Sequence, residues 1–416
     1  MKLTAVVCLL APVLAIPQTP PASVPRLDDS RILYYASDTH DLVSDLRRRI
    51  ETGEAHLEFS EKWGYLESVL RELHIPVSSQ TLVFSKTSLQ VDKISPDHPR
   101  ALFFADDVYV GMVRGGLLEL TAIDPRKGAV FYVMAQKKAA RPELVRKNEE
   151  CLKCHFSVNT MSVPGFLTRS VFTDGAGEPI LEAGSYQTDH RSPLSERWGG
   201  WYVTGTYGTE RHLGNGTAAG SAHKIDTERG VNVTDLKGRV NPALYPAPGS
   251  DVVALMVLNH QVRMHNLITR LAYEARLEDP GLPATIEATV RYMLFADEAR
   301  LRDHVTGAAS FRADFESRGP KDSQGRSLRQ LDLERRLFRY PCSFLIYSDS
   351  FEALPEAVKD PLYQRLWDVL SGKDQSPVYQ SLTAADRRAV LGILVDTKPS
   401  LPAYFRSGLR LAAQLR

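Results

Sequence analysis

The stretch Pro99–Gln136 decides how the first half of the chain folds, and it reads PRALFFADDVYVGMVRGGLLELTAIDPRKGAVFYVMAQ. Four short runs rich in β-branched and aromatic residues alternate here with residues that are typical of turns. The turns fall at the aspartate pair 106–107, at the glycine pair 115–116 and over residues 124–128. The pattern predicts an antiparallel sheet. The aspartate pair could also bind a cation, but a turn is the ordinary explanation.

Helical periodicity surrounds this predicted sheet. Apolar residues recur at spacings of three and four in segments before it and again after residue 250. The predicted helices span Asp41–Glu51, Lys62–Leu73, Asp251–Arg276, Ala284–Leu301, Ser327–Tyr340, Ala357–Ser371 and Thr383–Asp396. Between the two halves we expect a hairpin over Ser170–Ser185 and a strand pair over Trp198–Gly208. This order indicates an α+β fold with a β-rich N-terminal half and a mainly helical C-terminal half.

The composition limits the class of protein. The chain has 416 residues, of which 43% are hydrophobic, and its 51 basic and 50 acidic residues give a formal net charge of +1. These values are typical of a globular protein of more than one domain and exclude a highly charged disordered chain. A nucleic-acid-binding protein would normally carry a strong basic excess. Four cysteines are too few for a disulfide scaffold in a chain of this length.

The N-terminal segment is typical of a secretory signal peptide. Lys2 precedes the apolar run Leu3–Ala15, and the proline-rich segment Pro17–Pro25 follows it. The run is shorter than the ~20 residues that a membrane-spanning helix needs. We therefore expect residues 1–15 to be removed, with an uncleaved anchor as the alternative. This predicts a periplasmic or otherwise extracytoplasmic protein without an integral membrane span.

The strongest chemical signal is Cys151-Leu-Lys-Cys154-His155. Two thiols at this spacing can each form a thioether with one vinyl group of the same haem, and the adjacent histidine can then ligate the iron. The pattern predicts one covalent haem c, held by Cys151 and Cys154, with His155 as the proximal ligand. A zinc half-site, a thiol–disulfide pair and coincidence are the alternatives. Cys342 is the only other cysteine after the signal peptide, and we expect it to be a buried free thiol.

Through these three residues the chain resembles the c-type cytochromes. The segment Ser381–Leu394 is similar to the closing helix of cytochrome c domains. Three further segments look similar to a group of exported, uncharacterised bacterial mono-haem proteins, and they are Asp106–Val113, Arg197–Thr206 and Arg339–Tyr347. The resemblance implies a cytochrome c-like haem site in the helical half of the chain. Because the closing segment lies far beyond the attachment motif, the attachment chemistry is implied more directly than the fold of a small cytochrome.

The second axial ligand of the iron is not determined by the spacing. His260 and Met264 lie four residues apart on one face of a predicted helix, so either could point at a haem packed on that face. The alternative is that Met264 is a core residue and His260 a hydrogen-bonded core histidine. Met161 is a poor candidate because it follows the motif so closely. His190 and His212 are further candidates, which we expect in loops or at the surface.

These observations predict an exported c-type cytochrome that exchanges electrons with a redox partner protein or a small-molecule donor or acceptor. One alternative is a haem-dependent oxidoreductase, peroxidase-like or other, because the chain is much larger than one carrier haem requires. A second is a zinc-binding interaction protein without haem. The predicted regions are a signal peptide (1–15), a proline-rich linker (16–28), an α+β region (29–140), a haem-bearing region (141–400, mainly helical after 250) and a C-terminal tail (401–416).

Overall fold

The computed structural model describes residues 24–36, 38–220 and 223–407. The predicted signal peptide, most of the predicted linker and the last residues of the predicted tail lie outside these ranges. The described chain has a β-rich N-terminal half and a helical C-terminal half, so the α+β class is confirmed. No helix in this described part is both long and apolar enough to cross a membrane.

The strands form one large sheet and two small pairs. They are β1 (Thr81–Val83), β2 (Arg100–Phe104), β3 (Val108–Met112), β4 (Leu118–Asp124), β5 (Gly128–Met134), β6 (Leu144–Arg146), β7 (Arg169–Val171), β8 (Ser185–Gln187), β9 (Trp201–Tyr202), β10 (Ala218–Ala219) and β11 (Lys224–Ile225). The large sheet has seven strands in the order β6-β5-β4-β3-β2-β1-β9, while β7 pairs with β8 and β10 with β11. Every pair of neighbouring strands is antiparallel.

Consecutive hairpins build the centre of the large sheet, as the turn residues predict. β2 pairs with β3, with Phe103 opposite Val110, and β4 pairs with β5 along its whole length. The turn between β4 and β5 begins at Asp124, whose carboxylate accepts hydrogen bonds from the N–H groups of Arg126 and Lys127. Side chains alternate between the two faces along a strand. The register therefore assigns each residue of the sheet to one face.

The helices are α1 (Leu42–Thr52), α2 (Leu66–Glu72), α3 (Glu149–His155), α4 (Val252–Leu277), α5 (Leu282–Met293), α6 (Ala309–Ser317), α7 (Asp349–Glu352), α8 (Glu356–Leu370) and α9 (Ala384–Thr397). Of these, α1, α4, α8 and α9 agree with the predicted helices to within a single residue at each end. Their amphipathic or apolar pattern is continuous, and such long periodic segments are the ones that sequence patterns predict best.

Two hydrophobic cores lie on the two faces of the large sheet. On one face α1 and α2 cover the sheet, and Leu46 packs in the same cluster as Phe103 and Leu120. On the other face Phe104 and Phe131 join a larger cluster with α4 and the rest of the helical half. Most of α4 is buried on all sides, which is typical of a helix at the centre of a large core.

The predicted helix over Ser327–Tyr340 is wrong. The segment turns back on itself instead, and Leu331 and Phe338 form an isolated antiparallel bridge. The carboxylate of Asp332 accepts hydrogen bonds from two following backbone N–H groups, and Leu333 has a positive φ of 63°. A left-handed residue ends a right-handed helix, and an aspartate side chain that binds the local backbone competes with helical hydrogen bonds.

Three other helices differ from the sequence prediction. α2 begins at Leu66 rather than at Lys62. α5 ends at Met293 rather than at Leu301, since Phe295 has a φ of 55° and takes the chain out of the helix. The sequence patterns did not predict α6. Its buried residues Phe311 and Phe315 are four positions apart, and this spacing is the signal that could have revealed the helix.

The sequence had suggested a strand pair within Trp198–Gly208, but this segment does not pair with itself. Part of it forms β9, which extends the large sheet beside β1. The hairpin predicted over Ser170–Ser185 is confirmed, since β7 pairs with β8 with Ser170 opposite Tyr186. Because β6 and β9 both come from the second predicted region, the large sheet combines the α+β region with the region predicted to carry haem.

Candidate functional site

The motif Cys151-Leu-Lys-Cys154-His155 lies in the short helix α3. Two glutamates lie in its first turn, and Lys153 and His155 lie in its last, a distribution of charge that favours a helix. Cys154 and His155 follow Cys151 by three and four positions, so helical geometry places all three side chains on one face. Leu152 is buried and anchors the helix to the core from a neighbouring face.

The imidazole of His155 is held in one tautomer. Its Nδ1 lies 2.8 Å from the backbone carbonyl oxygen of Gly165. A carbonyl can only accept a hydrogen bond, so Nδ1 carries the proton and Nε2 keeps its lone pair. Within the described part of the chain Nε2 makes no hydrogen bond. The ring also packs against Phe131, with 4.9 Å between the ring centroids.

The electrostatic surroundings of His155 favour the neutral imidazole. Burial lowers the pKa of His155, and the Arg100 guanidinium lowers it further, while the hydrogen bond to Gly165 and the Glu119 carboxylate act in the opposite direction. A neutral imidazole with a free Nε2 is the form that binds a metal ion. The structure thus presents His155 in a ligand-competent state.

The carbonyl of Gly165 is itself fixed by α4. The side-chain amide of Asn266 accepts a hydrogen bond from the N–H of Phe166 and donates one to its carbonyl, both at 2.9 Å. A Cβ atom on Gly165 would lie 2.2 Å from Oδ1 of Asn266, so the close approach requires glycine. The central helix therefore sets the position of the group that orients His155.

The two thiols of α3 are free and differ in exposure. Cys151 is half-buried, whereas Cys154 is exposed. Burial, followed by the nearby Glu119 and Glu150 carboxylates, raises the pKa of Cys151 to about 11. The thiol of Cys151 is accordingly protonated near neutral pH.

The sheet surface beside His155 is polar and incompletely covered. Arg100 and Glu119 form an ion pair, with 2.6 Å between Nη1 of the arginine and Oε2 of the glutamate. The relative solvent exposures of the two side chains are 21% and 18%. Nε of Arg100 is buried without a hydrogen-bond partner in the described chain. Gly111 lies opposite Glu119 in the register, on the same face. One guanidinium N–H of Arg100, close to His155, therefore has no hydrogen-bond partner in the described chain.

A cavity of about 480 Å³ lies against a neighbouring face of α3. Leu152 and Phe156 line it from the helix, and Leu27 and Tyr35 line it from the N-terminal segment. Leu27 is buried, so the last part of the predicted linker packs on the core. The motif helix is therefore bordered by a cavity that the thiols themselves do not line.

His260, one of the two residues predicted as distal ligand, is bonded to protein at both ring nitrogens. Its Nδ1 lies 2.9 Å from Nδ1 of His190, and its Nε2 lies 2.8 Å from Oγ of Ser343. Burial lowers the pKa of His260 to about 3. Met264, the other residue, is fully buried on the same helix. Iron ligation by His260 would require the loss of one of these two hydrogen bonds, and the identity of the distal ligand stays a prediction.

His190 and His212 lie in loops, as expected, but neither lies at the surface. Their relative exposures are 1% and 2%. His190 stacks on Tyr292 and Phe295 with centroid distances of 4.1 and 4.4 Å. The flat imidazole ring packs well among aromatic rings, and a histidine that stays neutral can be buried among them at moderate cost. The sequence around both residues is loop-like and carries no pattern that would indicate burial.

Three other sequence expectations concern single residues. Cys342 is buried, as predicted. The Trp198 indole is buried in the core and donates a hydrogen bond to Asn259 on α4, which supports a core role for the aromatic segment around it. Met161 is half-buried and has a positive φ of 62°, directly after a short 3-10 turn.

The sequence patterns did not reveal a polar cluster around the turn between β2 and β3. Asp106 forms ion pairs with Arg318 and Arg329, and the neighbouring Asp107 has one buried carboxylate oxygen without a partner in the described chain. The aspartates were visible as turn residues, but their arginine partners are more than 200 positions away. No local pattern indicates such a pairing.

Comparison of the chain with models of known protein families, with curated proteins and with solved structures gives no match. Among the described residues no group of three or more histidine, cysteine, aspartate or glutamate side chains is arranged to hold a metal ion. A haem iron needs only one or two protein ligands, since the porphyrin supplies the others.

Proposed function

We propose that this protein is an exported c-type cytochrome that binds one haem covalently and transfers single electrons. Cys151 and Cys154 would hold the haem through two thioethers, and Nε2 of His155 would ligate its iron. The observation that carries the proposal is that both thiols and a histidine with a free, unprotonated Nε2 share one face of α3. When bound, the haem supplies a one-electron iron couple.

The surroundings of α3 supply two further features that suit this group. The Gly165 carbonyl accepts the Nδ1 proton of His155, a contact that fixes the ring and makes its other nitrogen a better ligand. The partly exposed guanidinium of Arg100 is a donor suited to a carboxylate, and haem carries two carboxylate side chains.

The test is covalent haem incorporation in a host that has a c-type haem attachment system. The intact mass of the processed wild-type chain is expected to exceed the polypeptide mass by one haem. Cys151→Ala and Cys154→Ala are each expected to lose haem that survives denaturation. Cys342→Ala is the matched control, because this third thiol is buried outside the motif and its loss should leave attachment unchanged.

The absorption spectrum of the same samples separates the alternatives. A reduced-minus-oxidised spectrum with a sharp α band that cyanide does not perturb supports an electron carrier. Perturbation by cyanide or peroxide would favour a haem-dependent oxidoreductase, since it reveals an open iron position. Zinc without iron in metal analysis, together with an unmodified intact mass, would overturn the proposal.

A further inference from the structure

A short buried loop follows the motif helix and returns to it. This loop comprises residues 163–166, which belong to no helix or strand. The Pro164 carbonyl accepts a hydrogen bond from the N–H of Ala129 on β5 at 3.0 Å. The N–H of Gly165 donates to the backbone carbonyl of His155 at 2.9 Å. The loop is therefore fixed both to the large sheet and to the motif helix.

One peptide group of this loop connects His155 with the central helix α4. The carbonyl of the Gly165–Phe166 peptide accepts from Nδ1 of His155 at 2.8 Å, and the N–H of the same peptide donates to Oδ1 of Asn266 at 2.9 Å. A peptide group is planar, so a contact that fixes its N–H also fixes the direction of its carbonyl. Asn266 therefore controls the group that decides which ring nitrogen of His155 carries the proton.

These groups form a chain of hydrogen bonds that ends at the imidazole. Bonds in such a chain polarise one another, so a peptide whose N–H is already bonded has a stronger acceptor in its carbonyl. A stronger bond at Nδ1 makes the other ring nitrogen, Nε2, a more basic ligand. In the described chain the Gly165 carbonyl accepts a hydrogen bond from His155 alone. The effect of Asn266 on this carbonyl is thus passed entirely to His155.

The chain of hydrogen bonds is shielded from water. The relative exposures of Asn266 and Phe166 are 1% and 6%, and the ring of Tyr109 packs on that of Phe166 with 4.4 Å between the centroids. Hydrogen bonds are stronger in such surroundings than in water, and a buried donor that loses its partner is not compensated by solvent. The contribution of Asn266 is therefore not replaceable by water.

We propose that Asn266 is a positioning residue for His155. Through the Gly165–Phe166 peptide it keeps the ring proton on Nδ1 and strengthens Nε2 as a ligand, and it thereby holds the reduction potential of the bound haem down. A more basic nitrogen ligand stabilises the ferric state more than the ferrous state. The effect on the potential rests on the proposed function, whereas the effect on the tautomer concerns the chain alone.

The first test measures the tautomer of His155 in the full-length chain without haem, made in a host that lacks an attachment system. Long-range ¹H–¹⁵N spectra of histidine-labelled protein, at a pH where the ring is neutral, distinguish a protonated from an unprotonated ring nitrogen. The wild type is expected to show the proton on Nδ1 only. Asn266→Ala is expected to show a mixture of both tautomers, and a single Nδ1 tautomer in this variant would overturn the proposal.

The second test measures the reduction potential of the haem-loaded protein by redox titration. Asn266→Ala is expected to have a higher midpoint potential than the wild type, because the weakened bond at Nδ1 makes Nε2 of His155 a poorer donor. A midpoint potential that stays at the wild-type value, or falls below it, would overturn the proposal.

Asn259→Ala is the matched control on the same helix. Asn259 is also 1% exposed, and its side chain likewise makes two hydrogen bonds, one with the Trp198 indole at 2.9 Å and one with the Thr188 hydroxyl at 3.3 Å. The loss of this buried asparagine is expected to destabilise the fold and to change neither the tautomer of His155 nor the potential. Equal changes in Asn259→Ala and Asn266→Ala would show a merely structural role and overturn the proposal.

Asn266→Asp separates the bond to the Phe166 N–H from the rest of the side chain. Aspartate has nearly the same shape and keeps an oxygen that accepts from this N–H. The variant is therefore expected to retain the Nδ1 tautomer and to show no rise in potential. A mixture of tautomers or a raised potential in it would overturn the proposal, and this result decides even if Asn266→Ala fails to fold.

The tautomer measurement needs no haem, so it separates this proposal from the proposed function. A wild-type chain that acquires no haem, together with the expected tautomers in the variants, would contradict only the proposed function. A haem-loaded wild type, together with the same tautomer and the same potential in Asn266→Ala, would contradict only the role of Asn266.

Discussion

At the scale of single residues, the orientation of His155 depends on a side chain more than 100 positions away along the chain. The amide of Asn266 bonds both backbone groups of Phe166, much as a neighbouring strand would, and thereby holds the Gly165 carbonyl against His155. A polar side chain buried on a central helix is stable only because both of its functions are satisfied.

The first prediction concerns Asn266. Asn266→Ala is expected to lower the free energy of unfolding by about 2 kcal/mol or more, because two buried backbone groups of Phe166 lose their partner. Urea unfolding followed by circular dichroism measures this change. Asn159→Ala, at an exposed position, is the control and should stay within about 0.5 kcal/mol of the wild type. Equal stability of the two variants would contradict the prediction.

The second prediction concerns the distal position of the proposed haem. In haem-loaded protein His260→Gln is expected to leave the absorption spectrum unchanged, because both nitrogens of His260 already bind His190 and Ser343. Met264→Leu is the matched substitution on the same helix, and a change from a low-spin to a high-spin spectrum in it would identify Met264 as the ligand. A spectral change in His260→Gln would instead show that His260 leaves its hydrogen bonds to bind iron.

At the scale of elements, the start of α4 depends on a buried aspartate. Asp251 is the N-cap of α4 and accepts a hydrogen bond from the N–H of Ala254 at 2.8 Å. Its second oxygen accepts from the N–H of Ala308, at the start of α6. One carboxylate therefore joins the ends of two helices, and an amide would present its NH2 group, a donor, to one of these two N–H groups.

The third prediction concerns how the contribution of Asp251 to the free energy of unfolding depends on pH. Burial raises the pKa of Asp251 to about 6, so the folded state binds its proton more tightly than the unfolded state does. The stabilisation from this group is complete below pH 4 and is lost as the pH rises through 6. Between these limits, the unfolding free energy of the wild type should fall by up to about 3 kcal/mol relative to that of Asp251→Asn.

Denaturant unfolding at several pH values measures this difference. Ser348→Ala removes an uncharged N-cap, where Oγ accepts from the N–H of Phe351 at 3.2 Å, and serves as control. Its stability loss of about 1 kcal/mol should be the same at every pH. A difference between wild type and Asp251→Asn that does not vary with pH would contradict the prediction.

The helices also show which elements can be predicted from sequence patterns alone. α1 and α4 are long or strongly periodic, and their bounds were predicted to within a residue. The segment Ser327–Tyr340 has helix-forming residues, but a buried bridge between Leu331 and Phe338 overrides that preference. Intrinsic helix propensity is worth only tenths of a kcal/mol per residue, so tertiary packing decides such segments.

At the scale of the whole molecule, the large sheet joins the two halves of the chain. β9 comes from beyond the attachment motif and pairs with β1, and α4 packs against the face of the sheet that carries Phe131. A sheet shared in this way exposes a large apolar surface if either half unfolds alone. The halves are therefore expected to unfold together.

The fourth prediction follows from this shared sheet. Hydrogen exchange measured by mass spectrometry at increasing denaturant should give the same unfolding midpoint for peptides covering residues 108–134 and 252–277. The first range contains the centre of the sheet and the second contains α4. Two clearly separated midpoints would show that the halves are independent domains.

The sequence by itself determined the features that depend on local periodicity. Turn residues and alternating side chains over Pro99–Gln136 specify neighbouring antiparallel strands, and helical spacing places Cys151, Cys154 and His155 on one face wherever that segment is helical. Both signals arise from geometry that repeats within a few residues.

Only the tertiary structure decided the tautomer of His155, the burial of His190 and the ion pairs that Asp106 forms. Each of these depends on partners far away in the chain, such as Asn266 and Arg318. Packing brings these groups together, and hydrogen bonds then fix their states. No short-range pattern encodes such pairings, because the energy that selects them is gained only when the whole core forms.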